Sequence, residues 1–268
     1  WRFSAKNVRD AVWAASPEFQ WDASSWRGIM AYAYYRPAAA VNWHDAADQS
    51  RLSIIEYSER WFPYPWPHIS AVEGPISGME YPMITFNGYR PTRDEKSGKL
   101  TYSRNTKYGL IGVIIHEVGH IYFPMVVNSD ERQWTWMDEG LNTFLEYIAE
   151  LEWEENFPTF GDKTNVLDFI TGYMQSQDQV PIMTNSDTIV QFGPNAYSKP
   201  AAALAVLREA VMGRELFDHA FREYSNRWKF KRPTPADFFR TMEDASGVDL
   251  DWFWRGWFYG TDYVDVSV

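Results

Sequence analysis

The stretch His116-Glu117-Val118-Gly119-His120 decides how the surrounding sequence folds and what it can bind. On an α-helix, residues four positions apart lie on the same face, so the side chains of His116 and His120 can reach one small cation. Glu117 lies one step around the helix, where its carboxylate can contact a water molecule beside the cation without binding the cation itself. These residues therefore predict a helix that carries two metal ligands and a general base.

A third ligand is expected from Glu139, which lies in the run Trp136-Met137-Asp138-Glu139-Gly140. Catalytic zinc sites use three protein ligands and keep one coordination position open. The two segments together are typical of zinc-dependent peptidases, and they predict one zinc ion per chain. The alternative is a pair of core histidines beside a surface glutamate. It is disfavoured because the apolar run 108–115 predicts a buried helix, in which histidines need a polar partner.

The composition narrows the classes of protein to which the chain can belong. At 268 residues it can bury a substantial core, as one domain or as two lobes. The formal net charge of −11 argues against a nucleic-acid partner, since phosphate binding needs clustered lysine and arginine. We find no signal peptide and no apolar run near the ~20 residues of a membrane span. The chain begins at Trp1, so we expect it to be a processed product or a fragment. It contains no cysteine, so the sequence does not indicate the cellular compartment.

The pattern of apolar residues divides the chain into a strand-rich part and a helical part. Up to residue 104, short apolar segments alternate with proline, glycine and serine clusters, and one helix interrupts them at 44–61. We expect a single catalytic domain made of a strand-rich lobe, 1–104, and a helical lobe, 105–268, with the metal-binding helices at their junction. The predicted strands are 8–14, 19–21, 28–35, 69–73 and 83–86, and the later helices are 106–123, 134–154, 163–176, 198–211, 213–228 and 235–245.

Four separate motifs resemble one known family. They are Gly78-Met79-Glu80-Tyr81, the His116–His120 motif with 18 residues before Glu139, the run Glu139-Gly140-Leu141-Asn142-Thr143-Phe144, and Asn195-Ala196-Tyr197-Ser198-Lys199-Pro200. In their order and spacing the chain resembles the catalytic domain of the zinc aminopeptidases of the aminopeptidase N family, within the gluzincins. The resemblance implies an α+β, thermolysin-like zincin fold, with a small, mostly five-stranded mixed sheet beside a helical lobe and the active site at the junction.

The resemblance also implies a role for each matching residue. His116, His120 and Glu139 are expected to bind zinc, and Glu117 to take a proton from the zinc-activated water. Tyr197 is expected to donate a hydrogen bond to the oxyanion, and Glu80 to bind the free α-ammonium of a peptide. Gly78 and Met79 are expected to contact the substrate on an edge strand. The family usually has asparagine where this chain has Tyr81, which alters the motif beside Glu80.

Three further polar residues are candidates to support the ligands. Thr143 and Glu146 follow Glu139 on the same helix face and could reach a ligand imidazole, while Asp138 could cap or orient the start of that helix. Each could equally be an ordinary polar residue of a helix.

The most favoured function is a zinc aminopeptidase that acts on peptides with free N-termini. The alternatives are a zinc endopeptidase and a non-catalytic zinc-binding or peptide-binding module. The third is disfavoured because a pure binding module needs neither Glu117 nor Tyr197. Family members usually carry an N-terminal β-rich domain and often a C-terminal helical domain, and we expect both to be missing from this chain.

Overall fold

The computed structural model describes residues 2–158 and 166–263 of the chain. Within these ranges the chain forms two compact units. The first contains the residues up to Val126 and a segment that begins at Ala149, and the second contains Val127–Ile148 and the described residues from 166 onward. The helix with the paired histidines belongs to the first unit, together with the sheet. The assignment of one catalytic domain stays a prediction.

A mixed five-stranded sheet, in the order β1-β2-β3-β5-β4, is the base of the first unit. The first and fourth strands pair antiparallel with their neighbours, and the other pairs are parallel. The fourth strand therefore forms one edge of the sheet, next to β5. The strands are β1 Gln20–Trp26, β2 Ile29–Tyr35, β3 His68–Glu73, β4 Gly78–Tyr81 and β5 Ile84–Asn87, and a separate hairpin contains β6 Thr92–Arg93 and β7 Leu100–Thr101.

Four of the predicted strands correspond to β1, β2, β3 and β5, but the strand predicted at 8–14 is wrong. No strand forms at these residues, and Trp13 within them is 80% exposed. A strand is stable only when a neighbouring backbone pairs with it, and apolar residues alone do not provide that neighbour. The apolar pattern did not predict β4, but the resemblance to the family placed Gly78 on an edge strand, and β4 is such a strand. The turn between β4 and β5 contains Met83 at φ 69°, a conformation that reverses the chain within two residues.

Two helices of the first unit pack against the sheet and against each other. They are α2, Ala46–Arg60, which follows the short α1, Ala40–Trp43, and α3, Arg104–Tyr122. The buried hydroxyl of Tyr57 on α2 donates a hydrogen bond to the carbonyl of Ile115 on α3 at 3.0 Å. Tyr122 at the end of α3 contacts the Tyr57 ring and lies 2.8 Å from the Ser58 hydroxyl. These contacts fix the helix that contains the histidine motif.

The second unit is helical and has an aromatic core. Rings of Trp136, Phe238, Phe239, Trp254 and Phe258 contact one another, and all five side chains are buried. Burial of such rings contributes most of the apolar area of a core. The longer helices that start in this unit or lie within it are α4 Glu139–Trp153, α6 Lys199–Val206, α7 Arg214–Trp228 and α8 Pro235–Ser246, and the short ones are α5 Thr171–Met174 and α9 Asp251–Trp254.

The helices predicted at 134–154, 198–211, 213–228 and 235–245 are confirmed, with differences at their ends. A 3₁₀ turn, Thr135–Met137, precedes α4, and a π-helical turn, Leu207–Val211, continues α6. The helix predicted at 163–176 is broken where it is described, into a 3₁₀ turn, Val166–Phe169, and α5, and residues 163–165 lie outside the described part. The C-terminal α9 was not predicted.

The fold class is therefore the expected one, a mixed sheet lobe followed by a helical lobe. In the described part of the chain, every helix is too short or too polar to cross a lipid bilayer.

Candidate metal centre

The helix α3, which contains the paired histidines, is stabilised by a cap at its start and by burial of its middle. The side chain of Ser103 accepts a hydrogen bond from the backbone N–H of Thr106 at 3.1 Å, which satisfies one of the free donors of the first turn. Ile111, Ile114 and Val118 are buried on this helix. The apolar contacts anchor α3 in the core, so the polar residues of the motif are held within the protein rather than at its surface.

His116 and His120 are brought together as the sequence predicts. Their Nε2 atoms lie 3.0 Å apart, and the ring planes are inclined by 86°. Two nitrogen ligands at 2.0–2.1 Å from a tetrahedral zinc ion are separated by about 3.3 Å, so the pair fits such an ion with little adjustment.

The ring of His120 is held in one orientation by a backbone contact. It is 1% exposed, and its Nδ1 lies 3.0 Å from the carbonyl oxygen of Phe123, which can only accept a hydrogen bond. Nδ1–H is therefore the donor, and Nε2 carries the lone pair that a metal requires. A second hydrogen bond of this kind commonly fixes the tautomer of histidine ligands.

Potential ligand atoms of three residues of the first unit form a compact group. One atom each from Glu80, Glu117 and His120 lies within 4.8 Å of the other two, and all three residues are buried. Glu80 lies on the edge strand β4, opposite Thr85 of β5. Gly78 begins the same strand, and Met79 follows it. The motif that contains Glu80 and the motif that contains Glu117 are therefore adjacent in the folded first unit.

Glu139 is the first residue of α4. Its assignment as the third metal ligand, beside His116 and His120, stays a prediction of the sequence. Two imidazoles and a carboxylate form a donor set that suits zinc.

The residues predicted to support the ligands lie at and along α4. The backbone N–H of Asn142 donates to the carbonyl of Asp138 at 3.2 Å, so Asp138 is at the position that precedes the first turn. Thr143 and Glu146 lie one and two turns into the helix, and both are buried. The buried positions agree with a role beside the ligands, but the contacts of these side chains with the imidazoles stay a prediction.

Tyr197 lies in a π-helical turn, Pro194–Ser198, that precedes α6. Its ring contacts Phe192, with centroids 6.3 Å apart, and the side chain is half-buried. Single π-helical turns often occur at functional positions, because they displace one side chain from the regular helix.

Two residues that the sequence reasoning gave no role hold these segments. The amide of Asn195 is completely buried and donates to the Tyr173 hydroxyl and the Val180 carbonyl, each at 2.9 Å, which anchors the turn before Tyr197. Gly140 is required because a Cβ atom there would overlap the side chain of Pro200. Asn195 lies in the motif Asn-Ala-Tyr, and Gly140 lies in the motif Glu-Gly-Leu. Their presence in these motifs was the sequence feature that could have predicted their structural roles.

Comparisons with known proteins identify the family of the chain. The family model described as "Peptidase family M1 domain" matches residues 47–257. The chain is 26% identical over 229 residues to "Probable aminopeptidase 1" of Sulfurisphaera tokodaii, covering 80% of this chain and 28% of that protein. It is 27% identical over 253 residues to "Glutamyl aminopeptidase" of Bos taurus, covering 90% of this chain and 26% of that protein. The chain thus spans about a quarter of the length of these relatives. Because the family model matches most of the sequence, the resemblance is confirmed, and this chain belongs to peptidase family M1.

Proposed function

We propose that this chain is the catalytic domain of a zinc aminopeptidase, which removes single residues from peptides with free N-termini. The observation that carries the proposal is the pair of Nε2 atoms of His116 and His120, 3.0 Å apart on one helix face with Glu117 between them in sequence. The two relatives are both named as aminopeptidases, which supports the same activity.

Zinc is the proposed cofactor, one ion per chain. Peptidase family M1 is generally zinc-dependent, and the ligand set of His116, His120 and Glu139 is the two-imidazole, one-carboxylate type of catalytic zinc sites. When bound, zinc supplies Lewis-acid polarisation of a peptide carbonyl and activation of water.

Glu117 is the proposed general base. Its carboxylate is buried and lies in the group of ligand atoms with His120 and Glu80. It accepts a proton from the attacking water and delivers that proton to the leaving amine, so that one water molecule is consumed for each bond cleaved. A buried position favours this role because bulk water does not compete for the carboxylate.

Tyr197 is the proposed donor to the oxyanion. Its hydroxyl would stabilise the negative charge that develops on the carbonyl oxygen during attack, which is worth most where the donor is held in place before the reaction. The buried amide of Asn195 and the packing of Pro200 against Gly140 hold the segment on both sides of the tyrosine. This fixed backbone supports the assignment.

Glu80 is the proposed ligand for the α-ammonium. It is only 7% exposed, and within the described ranges its carboxylate forms no ion pair with a basic side chain. A buried carboxylate is costly unless a cation compensates it, and the amino group of a peptide would provide that cation. A fixed carboxylate near the zinc ligands leaves room for one residue between the amine and the cleaved bond, which would restrict cleavage to the first bond.

The test compares a short peptide with its N-acetylated twin, which lacks the positive charge. We expect cleavage of the free peptide only, and a loss of about tenfold to 150-fold in kcat/KM for Glu80→Gln, since a hydrogen bond to a charged group is worth about 1.5–3 kcal/mol. The exposed Glu95→Gln is the matched control.

Each other result contradicts the proposal in a different way. Equal cleavage of both peptides would indicate an endopeptidase. A zinc-loaded chain that cleaves neither peptide would indicate a non-catalytic binding module.

A further inference from the structure

The second unit contains a cavity whose lining residues have no role in the proposed peptidase reaction. Its volume is about 640 Å³, which is within the range of small-molecule sites. Most of the lining is apolar or aromatic, including Ile170, Met174, Phe253 and Trp257. Phe253 and Trp257 are stacked, with centroids 6.0 Å apart. The walls are therefore suited to the hydrocarbon or aromatic part of a ligand.

One buried cation, Lys199, lies in this apolar wall. The residue is 1% exposed, and its Nζ donates to Gln179 Oε1 at 2.9 Å and to the Gly260 carbonyl at 3.4 Å. Both acceptors are neutral, and within the described ranges Lys199 forms no ion pair. An ammonium group has three N–H donors, and these two acceptors use two of them.

The position of the ammonium group is fixed by Gln179. The amide nitrogen of Gln179 donates to the carbonyl of Met174 at 2.7 Å and to that of Thr261 at 3.2 Å, so its oxygen is directed to Lys199. The donor is thus held in place before any ligand arrives, which lowers the entropy cost of binding.

A buried ammonium without an anion is energetically unfavourable. Burial lowers the pKa of Lys199 to about 8, so most of the group is still charged at neutral pH. Taking this charge out of water costs free energy that two neutral acceptors compensate only in part. Binding of an anion next to the ammonium group would recover part of that free energy.

We propose that this cavity binds a small carboxylate with an apolar or aromatic body, with the carboxylate on Nζ of Lys199 and the body against Phe253 and Trp257. Asp262 is the other charged residue of the lining, and its carboxylate should weaken the binding of such a ligand. Trp252 and Tyr263 also line the cavity and are exposed, so they form its rim.

The experiment measures binding of 4-phenylbutyrate and of its neutral amide, 4-phenylbutanamide, to the whole chain by titration calorimetry. The two compounds differ in charge but hardly in shape. We expect the acid to bind at least about tenfold more tightly than the amide, because only the acid forms a charge-assisted hydrogen bond with Lys199. Asp262→Asn should strengthen binding of the acid.

Two variants remove the site in independent ways. Lys199→Met should abolish the preference for the acid. Gly256→Leu should weaken binding of both compounds by occupying part of the cavity, and it should fold, because a Cβ atom at Gly256 meets no atom within 4 Å. Circular dichroism and thermal unfolding check that each variant is folded.

A carboxylate could also bind to a zinc ion, and His116→Ala separates the two sites. Acid binding that persists in His116→Ala and is weakened in Gly256→Leu supports the cavity. Equal affinity for acid and amide, acid binding that Gly256→Leu leaves unchanged, or no binding at millimolar concentration would each overturn the proposal. None of these results depends on peptidase activity.

Discussion

A Cβ atom at Gly78, the first residue of β4, would overlap Oε1 of Glu117 on α3. The edge strand and the proposed general base are thus in direct contact, and a side chain at Gly78 would displace the carboxylate. Gly78→Ala should displace Glu117 and lower kcat/KM by about 10²-fold, the cost of misplacing a reacting group by about 1 Å.

The matched control for this substitution is Gly172→Ala, since a Cβ atom at Gly172 meets nothing within 4 Å. Peptide cleavage, zinc content and thermal unfolding are measured for both variants. Normal cleavage by Gly78→Ala would mean that the strand moves instead of the carboxylate.

Removal of either histidine should remove metal and activity together. His116→Ala and His120→Ala each delete one of two nitrogen atoms that lie 3.0 Å apart, and the remaining ligands hold zinc weakly. Elemental analysis should give about one zinc per wild-type chain and much less for the variants. His219→Ala, which changes an exposed histidine on α7, is the control and should keep its zinc. Full zinc content in either ligand variant would refute the proposed centre.

Glu117→Gln should leave zinc bound and lower kcat by about 10²–10⁴, the usual contribution of a positioned base. The amide keeps the shape of the side chain but cannot accept the proton. Steady-state kinetics and zinc content are compared with Glu95→Gln, an exposed position that should behave as wild type. Near-normal kcat would assign the base to another residue.

Tyr197→Phe should keep zinc and the fold, since the ring that contacts Phe192 is retained. Loss of one oxyanion donor should lower kcat by about 10²–10³ with little change in KM. Tyr102→Phe, at an exposed tyrosine, is the control. If KM rises while kcat is unchanged, Tyr197 binds the substrate and does not stabilise the transition state.

Acid should lower the free energy of unfolding because it protonates Glu73, at the end of β3. Burial raises the pKa of this carboxyl, but hydrogen bonds from Arg36 and Arg90 outweigh burial and bring the pKa below its ordinary value of 4.5. The lowered pKa means that the pairing stabilises the fold above the pKa of the unfolded chain. That stability is lost as the pH falls through the folded-state pKa.

Glu73→Gln should therefore reduce the free energy of unfolding at pH 7 by about 1.5–3 kcal/mol, near the lower end because the Arg36 side chain is half exposed. Urea unfolding at pH 7 and below pH 4.5 should show that the difference from wild type narrows in acid. Glu59→Gln removes an exposed pair, Arg27–Glu59 at 3.9 Å, and should cost less than about 1 kcal/mol. A constant difference at both pH values would exclude Glu73 as the acid-sensitive group.

The helices and the histidine pair could be predicted from the sequence because their geometry is local. A helical hydrogen bond joins residues four positions apart, so the spacing of His116 and His120 already places both rings on one face. The same reasoning predicted α7 and α8, whose apolar residues repeat with the helical period. Strands were predicted less well, as the unpaired segment at 8–14 shows.

The sequence by itself determined the family, the ligand types and the helical spacing that brings the two histidines together. The tertiary structure decided that Gly78 lies against Glu117 and that Glu80 is buried on an edge strand. It also decided that Lys199 is buried beside an apolar cavity and, among the described residues, forms no ion pair. The physical reason is the distance along the chain between the residues that decide each property. A side chain's burial and its partners depend on segments far away in the chain, whereas a helical face depends only on the residues of one or two turns.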